Sequence, residues 1–203
     1  MILIGRYLSP FVRRCATTLE LYGMDFENRP LQHTGDDAPV LRESNPVGRV
    51  PALVLSDGEV IIDSAAILDY LDRAAGPAKS LMPSDGKDRN RALNLLGVAT
   101  GAVEKAIATV YEVRFRPEEK RHAPWVERCA DQARGGFEFL NSQLDGNHFI
   151  GDNMTQADVT AAITWQFVGL AANDLKATIN APALDGLVDR MMALPAFQNT
   201  MPS

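Results

Sequence analysis

Two pairs of polar residues stand where a strand-like apolar stretch gives way to a helical pattern. Ser9-Pro10 comes just after the run "MILIGRY", and Asp63-Ser64 directly follows "PALVLSDGEVII". Capping alone can explain both pairs, because serine and aspartate are favoured N-cap residues and proline is favoured at the first position of a helix. The free amides and the positive dipole end of a helix start also favour anions. Residue type alone favours a helix start at each pair, and a chemical role for either needs further evidence.

The elements around these pairs form an alternating pattern. "MILIGRY" predicts a strand, and the helical spacing in "PFVRRCATTLELYG" ends at a glycine. "FENRPL" predicts a second strand, and "DAPVLRESNP" predicts a short helix that ends at an Asn-Pro pair. Two strands around Asp57-Gly58, a two-residue hairpin signal, precede a helix that runs from Asp63 to Gly76. The predicted order is β-α-β-(α)-β-β-α.

The rest of the chain contains helical patterns and no convincing strand. The Gly-, Pro- and Ser-rich stretch "GPAKSLMPSDG" predicts a linker. Two long helical patterns follow it, and a third, "TQADVTAAITWQFVGLA", is so apolar that we expect it at the centre of a helical bundle. We therefore predict an α/β domain over residues 1–76, a linker over 77–86 and an all-helical domain over 87–203.

Composition restricts the classes of function. The 203-residue chain is 46% hydrophobic and 23% charged, with a net charge of -6. Its basic residues are scattered among acidic ones, so we expect no nucleic-acid partner. The N-terminal apolar run is too short for a secretory signal, and no apolar stretch approaches the roughly 20 residues of a membrane span. We expect a cytoplasmic protein with no membrane partner.

The cysteines and histidines do not form a metal site in the sequence. Cys15 and Cys129 lie far apart and outside any C-x-x-C motif, so we expect buried, reduced thiols. The three histidines, His33, His122 and His148, have no metal-ligand spacing. We predict no metal cofactor.

Four local signatures, taken together, resemble the cytosolic glutathione transferase (GST) superfamily. They are "SPFVRR", "NPVGRVPAL", "IIDSAAILDYL" and "GDNMTQADV", and they occur in that order along essentially the whole chain. The resemblance implies a thioredoxin-like first domain that binds glutathione and a helical domain that supplies most of a second-substrate pocket. Glutathione would be a co-substrate.

The resemblance gives Ser9 a chemical role. A hydroxyl at the start of the first helix faces the sulfur of glutathione in such enzymes. A free thiol has a pKa of about 8.5, so a hydroxyl donor and the helix dipole would favour the nucleophilic thiolate. Arg13 and Arg14 could add positive potential, but we interpret them as a solvated face or as ion-pair partners within the domain.

The next two signatures imply the glutathione-binding residues. In relatives a cis proline stands at the position of Pro51, and the backbone of the preceding residue, Val50, pairs with the backbone of the glutathione cysteine. Arg49 takes the place of a side chain that meets the glycine end of glutathione, an anion that suits guanidinium geometry. His33 lies near a position from which some relatives contact glutathione, although a loop histidine can equally be solvated.

The pair Asp63-Ser64 would bind the γ-glutamyl end of glutathione. In relatives the carboxylate of the first residue accepts from the ammonium group, and the hydroxyl and amide of the serine donate to the carboxylate.

The last signature has a structural interpretation. Thr155 and Asp158 have capping-box spacing, with aspartate in place of the usual Glu or Gln. They resemble the folding signature of the family in its core helix, so we assign them no chemistry.

The second-substrate pocket is poorly specified by the sequence. Phe11, Tyr111, Arg114 and Phe115 stand where the two predicted domains could face each other. Aromatic residues at helical spacing are nevertheless more often core than ligand contacts.

The leading hypothesis is a homodimeric glutathione transferase of the serine-using type, similar to the tau, zeta or theta class or to a bacterial relative. Its bound thiolate would attack a small, hydrophobic electrophile in detoxification. "SPF" resembles the tau class and its bacterial relatives. The chain lacks the catalytic cysteine of the omega and beta classes and the "SSC" of zeta-class isomerases. A glutathione-dependent isomerase or dehalogenase stays open. So does a non-catalytic binding factor of the stringent starvation protein type.

Overall fold

A computed structural model describes residues 1–202 and divides the chain into two compact units. The first unit contains Met1–Leu81 together with the segment from Met192 onward, and the second contains Met82–Met191. The change between them falls after residue 81, within the stretch predicted as a linker. The C-terminal segment differs from the prediction, because its residues from 192 belong to the first unit and not to the helical one.

The first unit has four short strands and three main helices in the predicted order. Its elements are β1 (Ile2–Ile4), α1 (Pro10–Tyr22), β2 (Glu27–Arg29), α2 (Asp37–Ser44), β3 (Ala52–Val54), β4 (Val60–Ile62) and α3 (Ser64–Ala75). The sheet order is β2-β1-β3-β4, with β1 parallel to β2 and the other pairs antiparallel. A short helix, α9 (Pro195–Asn199), completes this unit.

The turn between β3 and β4 is longer than the predicted two-residue hairpin. The amide of Gly58 donates to the carbonyl of Leu55 at 3.2 Å, and the amide of Leu55 donates to the carbonyl of Glu59 at 2.8 Å. Gly58, with φ 91°, therefore follows the turn and is not one of its two central residues. This is the three-residue loop in which a left-handed glycine forms a bulge.

Helix α1 is buried on nearly every side, which overturns our interpretation of its two arginines. Val12, Cys15 and Leu19 belong to the core of the first unit, as expected from their spacing. Arg13 and Arg14 are also buried, at 2% and 3% exposure, and so do not form a solvated face. Arg13 lies against the C-terminal segment, where its guanidinium group donates to the carbonyl of Phe197 at 3.2 Å. Arg14 lies against α3 and donates to the hydroxyl of Ser64 at 2.8 Å.

The second unit contains helices joined by loops and no strand among its described residues. It contains α4 (Gly86–Phe115), a 3-10 turn (Glu118–Lys120), α5 (Ala123–Gln143), α6 (Gln156–Ala171), α7 (Asn173–Lys176) and α8 (Pro182–Met192), the last of which ends at the boundary of the unit. Helix α6 is the central helix, as predicted, because almost all of its first eleven side chains, polar ones included, are buried. Trp165 of α6 packs against Phe137 of α5 with ring centroids 5.1 Å apart.

Helix α4 is the one helix among residues 1–202 that is long and apolar enough, by length and composition, to cross a membrane. The expectation that no apolar stretch approaches the length of a membrane span was therefore wrong for this helix. It packs against α5 and α6, and core helices of soluble proteins pass the same test. Its length therefore carries no functional conclusion by itself.

The start of α6 has the predicted capping box. The carboxylate of Asp158 accepts from the amide of Thr155 at 2.7 Å and from the hydroxyl of the same residue at 2.7 Å. It also accepts from the amide of Phe149 at 2.9 Å, and Asp158 is completely buried. The carboxylate thus fixes the preceding loop as well as the helix start.

Candidate functional site

The register of the sheet brings the predicted site segments to one edge. Arg29, Ile4, Ala52 and Ile62 lie side by side across the four strands. At this end of the sheet, β1 leads toward Ser9, β2 leads toward His33, and β4 leads into Asp63-Ser64. Strand β3 begins here, directly after Val50-Pro51. The candidate residues of the first unit therefore share one end of the sheet, although up to 55 positions separate them in the chain, from Ser9 to Ser64.

Ser9 occupies the N-cap position of α1, but its hydroxyl does not cap the helix. Its backbone is extended, with φ -69° and ψ 121°, and Pro10 starts the helix, as predicted. The side chain makes no capping hydrogen bond, whereas the backbone carbonyl accepts from the amide of Arg13 at 2.9 Å. The half-buried hydroxyl is therefore not used by the helix and can bind a ligand.

Gly5 allows β1 and the segment before β3 to approach closely, a role that the sequence analysis missed. A Cβ atom at this position would lie 2.5 Å from a methyl group of Val12 and 2.9 Å from the Cβ of Val50. Its φ of 128° is also rare for any other residue. The Gly after an apolar strand was the available signal, because a glycine there often marks a close backbone approach.

The peptide bond between Val50 and Pro51 is cis, as the family signature implies. Asn45 fixes the loop before it, since its side-chain amide donates to the carbonyl of Arg49 at 2.7 Å and its side-chain oxygen accepts from the amide of Val47 at 3.0 Å. The side chain of Arg49 is exposed, and Val50 is half-buried. Asn45 is a second residue that the sequence analysis did not assign to the site.

Asp63 and Ser64 lie at the start of α3 and have different roles there. Asp63 is the N-cap: its carboxylate accepts from the amide of Ala65 at 2.8 Å, and it is the one non-glycine among residues 1–202 with positive φ, at 70°. Such a conformation costs free energy and is common at functional sites. The Asp63 side chain is exposed, whereas Ser64 is 3% exposed.

The hydroxyl of Ser64 is bonded to a buried arginine. A guanidinium nitrogen of Arg14 lies 2.8 Å from the Ser64 hydroxyl oxygen. Burial lowers the pKa of Arg14, and the nearby Cys15 and Asp63 oppose that shift. A signal for this burial was available in the sequence: no acidic residue stands three or four positions from Arg14 on α1, as an exposed helical cation often has.

The cysteines and histidines that the structure describes form no metal-binding cluster at this edge. Cys15 is completely buried, and burial raises the pKa of its thiol to about 12; Cys129 is also buried, and both are free, as predicted. His33 is exposed in the loop after β2. Residues 1–202 include no cluster of three or more His, Cys, Asp or Glu side chains that could hold a metal ion.

The four residues predicted for a second-substrate pocket are distributed over the two units. Phe11 is half-buried in α1 of the first unit. Tyr111, Arg114 and Phe115 lie at the end of α4 in the second, where the two aromatic rings meet edge to face at 5.0 Å. The guanidinium carbon of Arg114 lies 5.7 Å from the centre of the Phe115 ring. These three form an exposed aromatic and cationic cluster, which suits an apolar or anionic ligand.

Comparison with known proteins matches both units to one family. Residues 3–79 match the model described as glutathione S-transferase, N-terminal domain, and residues 103–195 match the model described as glutathione S-transferase, C-terminal domain. The chain is 30% identical to glutathione S-transferase Z1 of Arabidopsis thaliana over 208 aligned positions, which cover 98% of this chain and 90% of the plant protein. It is also 30% identical to a probable maleylacetoacetate isomerase of Caenorhabditis elegans, over 72% of this chain and 69% of that one.

A solved structure shares the whole fold. The glutathione S-transferase of Methylobacterium radiotolerans, crystallised in complex with glutathione sulfonate, superimposes with a TM-score of 0.91 at 27% identity. The alignment covers 99% of this chain and 94% of the bacterial enzyme. The sheet of the first unit is therefore the thioredoxin-like sheet that the sequence analysis predicted, and an all-helical unit follows it.

Proposed function

The chain belongs to the glutathione S-transferase family, and we propose that Ser9 holds the thiolate of bound glutathione for attack on a small electrophile. The protein is a glutathione transferase. In the reaction the thiolate gives its electron pair to an electrophilic carbon and a carbon–sulfur bond forms. Either a leaving group departs with its bonding electrons, or the electrophile takes up the charge and is then protonated.

The observation that carries this proposal is the uncommitted hydroxyl of Ser9 at the sheet edge. It stands at the positive end of the α1 dipole, and no capping bond uses it. A hydroxyl is too weak an acid to be the nucleophile, but it can donate a hydrogen bond to a thiolate. Since only a few per cent of a thiol with a pKa of about 8.5 is ionised at neutral pH, such a donor increases the reactive fraction.

The other residues of the edge support a bound glutathione molecule. The backbone of Val50 pairs with the cysteinyl backbone of glutathione, and Arg49 binds the glycine carboxylate, with His33 a further contact from its loop. The carboxylate of Asp63 accepts from the γ-glutamyl ammonium group. The hydroxyl and amide of Ser64 donate to the γ-glutamyl carboxylate. Phe11, Tyr111, Arg114 and Phe115 are the proposed contacts of the electrophile.

Calorimetric titration with glutathione tests this assignment. We expect wild-type protein to bind, and Ser64→Ala to bind about 1–3 kcal/mol more weakly because a buried carboxylate loses a donor. Ser56→Ala is the control, since Ser56 lies exposed in the hairpin turn, away from the site edge. Unchanged affinity in Ser64→Ala would mean that the site is misplaced, and no binding by wild-type protein at several millimolar glutathione would favour the binding-factor hypothesis.

A glutathione-dependent isomerase or dehalogenase is the second candidate, and the similarity to the probable maleylacetoacetate isomerase favours the isomerase. Isomerisation returns glutathione unchanged, whereas conjugation consumes it. A panel of electrophiles with measurement of both product and free thiol therefore separates the two reactions. The absence of the "SSC" signature favours conjugation.

We also propose a cytoplasmic homodimer that acts in detoxification. One face of α4 supports dimerisation: Leu93 is 51% exposed, and Gly97 and Gly101 are exposed with no atom within 4 Å of where a Cβ would stand. A chain of 22.1 kDa should therefore show twice that mass in light scattering. We expect Leu93→Glu to shift the mass toward the monomer, and a monomeric wild-type protein would contradict the proposal.

A further inference from the structure

The buried contact between α1 and α3 has a fixed hydrogen-bond direction. A guanidinium group has donors and no acceptor, so Arg14 donates and the Ser64 oxygen accepts at 2.8 Å. Ser64 has one hydroxyl proton, which cannot point back at a donor. Arg14 thus occupies one lone pair of the Ser64 oxygen and leaves the hydroxyl proton to be donated away from α1.

Arg14 also places a positive charge behind that hydroxyl. The side chain is 3% exposed, and its Nε atom has no hydrogen-bond partner within residues 1–202. Asp63 is the neighbouring acid, but its carboxylate caps α3 and its side chain faces solvent. A buried cation is costly unless an opposite charge lies close, so an anionic ligand group at Ser64 would reduce that cost.

We propose that Arg14 is a positioning residue that makes Ser64 selective for a carboxylate over its neutral isostere. The proposal rests on the proposed function, in which the γ-glutamyl carboxylate of glutathione lies at Ser64. A carboxylate accepts hydrogen bonds only, which matches a hydroxyl that must donate. A carboxamide can also accept the Ser64 hydrogen bond, but it is neutral and so does not compensate the buried positive charge of Arg14.

Two glutathione analogues separate this role from general binding. In the first, the γ-glutamyl α-carboxylate is replaced by a carboxamide; in the second, the glycine carboxylate is replaced instead and serves as the control ligand. For wild-type protein we expect the first replacement to weaken binding by about 10- to 100-fold, the range for loss of a charged hydrogen bond. In Arg14→Met we expect that preference to fall to about threefold or less, while the effect of the second replacement stays as in wild type.

Further variants distinguish positioning from structural damage. Arg13→Met removes the adjacent buried arginine, which donates to the C-terminal segment, so this variant should keep the full preference for the carboxylate. Arg14→Lys, which retains a donor-only cation, should restore most of it. If Arg14→Met does not fold, Arg14→Gln gives the same test, because its amide can still bond to Ser64 but is neutral, so the preference for the carboxylate should stay low.

Steady-state kinetics provide a readout that a merely structural role would not move. We expect Arg14→Met to raise KM for glutathione about tenfold or more while kcat at saturating glutathione stays within about threefold of wild type, since Ser9 is untouched. If folded Arg14→Met or Arg14→Gln keeps the full preference for the carboxylate, the inference is overturned but the proposed function is not. The inference is also overturned if wild-type protein binds glutathione and its γ-glutamyl carboxamide analogue equally well. Failure of wild-type protein to bind glutathione overturns the proposed function instead.

Discussion

Replacing Ser9 by alanine should lower turnover with electrophiles at neutral pH by about 10- to 100-fold, because a hydrogen bond to a charged group contributes about 1.5–3 kcal/mol. The Ser9 hydroxyl stabilises the thiolate and not the thiol, so without it the pKa of bound glutathione should rise by about 1–2. The rate should therefore recover at higher pH. The affinity for glutathione should stay nearly unchanged at a pH below the pKa of the bound thiol, where the ligand binds as the thiol. The measurement is the pH dependence of kcat together with titration of the bound thiol by its ultraviolet absorbance.

Ser9→Cys is a sharper variant, because it changes the type of reaction. A thiol at a helix start followed by Pro10 should ionise readily. Its thiolate attacks the disulfide of oxidised glutathione, so that a mixed disulfide forms and one glutathione thiolate leaves. Mass spectrometry should show the glutathione adduct on residue 9. We expect conjugation to fall and disulfide reduction to appear.

The buried cysteines make this adduct easy to assign. Cys15 and Cys129 are both fully buried, and burial raises the pKa of Cys15, so neither should form the adduct in the folded wild-type protein. Ser56→Cys, exposed in the hairpin turn, is the matched control for a non-catalytic surface thiol. If the cysteine variant forms no adduct and both Ser9 variants conjugate like wild type, Ser9 is only the N-cap residue. Tyr7, half-buried just before it, then becomes the candidate donor.

Local patterns were sufficient for the elements of the first unit but not for their packing. The N-cap at Ser9 and the left-handed Gly23 with φ 66° follow from short-range preferences, which is why the bounds of α1 agree with the sequence analysis. The predicted two-residue hairpin was wrong because Asp-Gly fits two types of turn, and the pairing of the flanking strands decides between them. The burial of Arg13 depends on Phe197, 184 residues away, which no local pattern can indicate.

The proposed members of the candidate site come from the sequence, but the contacts among them do not. Ser9, Val50, Asp63 and Ser64 belong to family signatures, and the sheet register explains why they share an edge. The bond between Arg14 and Ser64 joins residues 50 positions apart. Arginine side chains are mostly exposed in proteins, and this general preference favoured the wrong interpretation of a solvated face. The geometry shows instead that the second arginine of "VRR" lies directly behind a proposed ligand group.

Replacing Asp158 by alanine should destabilise the protein strongly while sparing its chemistry. The completely buried carboxylate accepts from the amides of Phe149 and Thr155 and from the Thr155 hydroxyl. Alanine leaves these donors without their acceptor and removes the capping box of the central helix α6. We expect a loss of about 3 kcal/mol or more in the free energy of unfolding, since each unsatisfied buried group costs about 1–3 kcal/mol. For a chain of this size the melting temperature should fall by about 6–12 °C.

The neighbouring loop supplies the control for this prediction. Asp152 lies exposed a few residues before α6, so Asp152→Ala should keep the melting temperature of wild type. Asp158→Asn should fall between wild type and Asp158→Ala, because an amide oxygen still accepts but its nitrogen cannot. At a temperature well below the transition, Asp158→Ala should turn over at close to the wild-type rate per folded molecule. A melting temperature equal to that of wild type, combined with lowered turnover, would instead give Asp158 a direct part in the reaction and contradict its structural assignment.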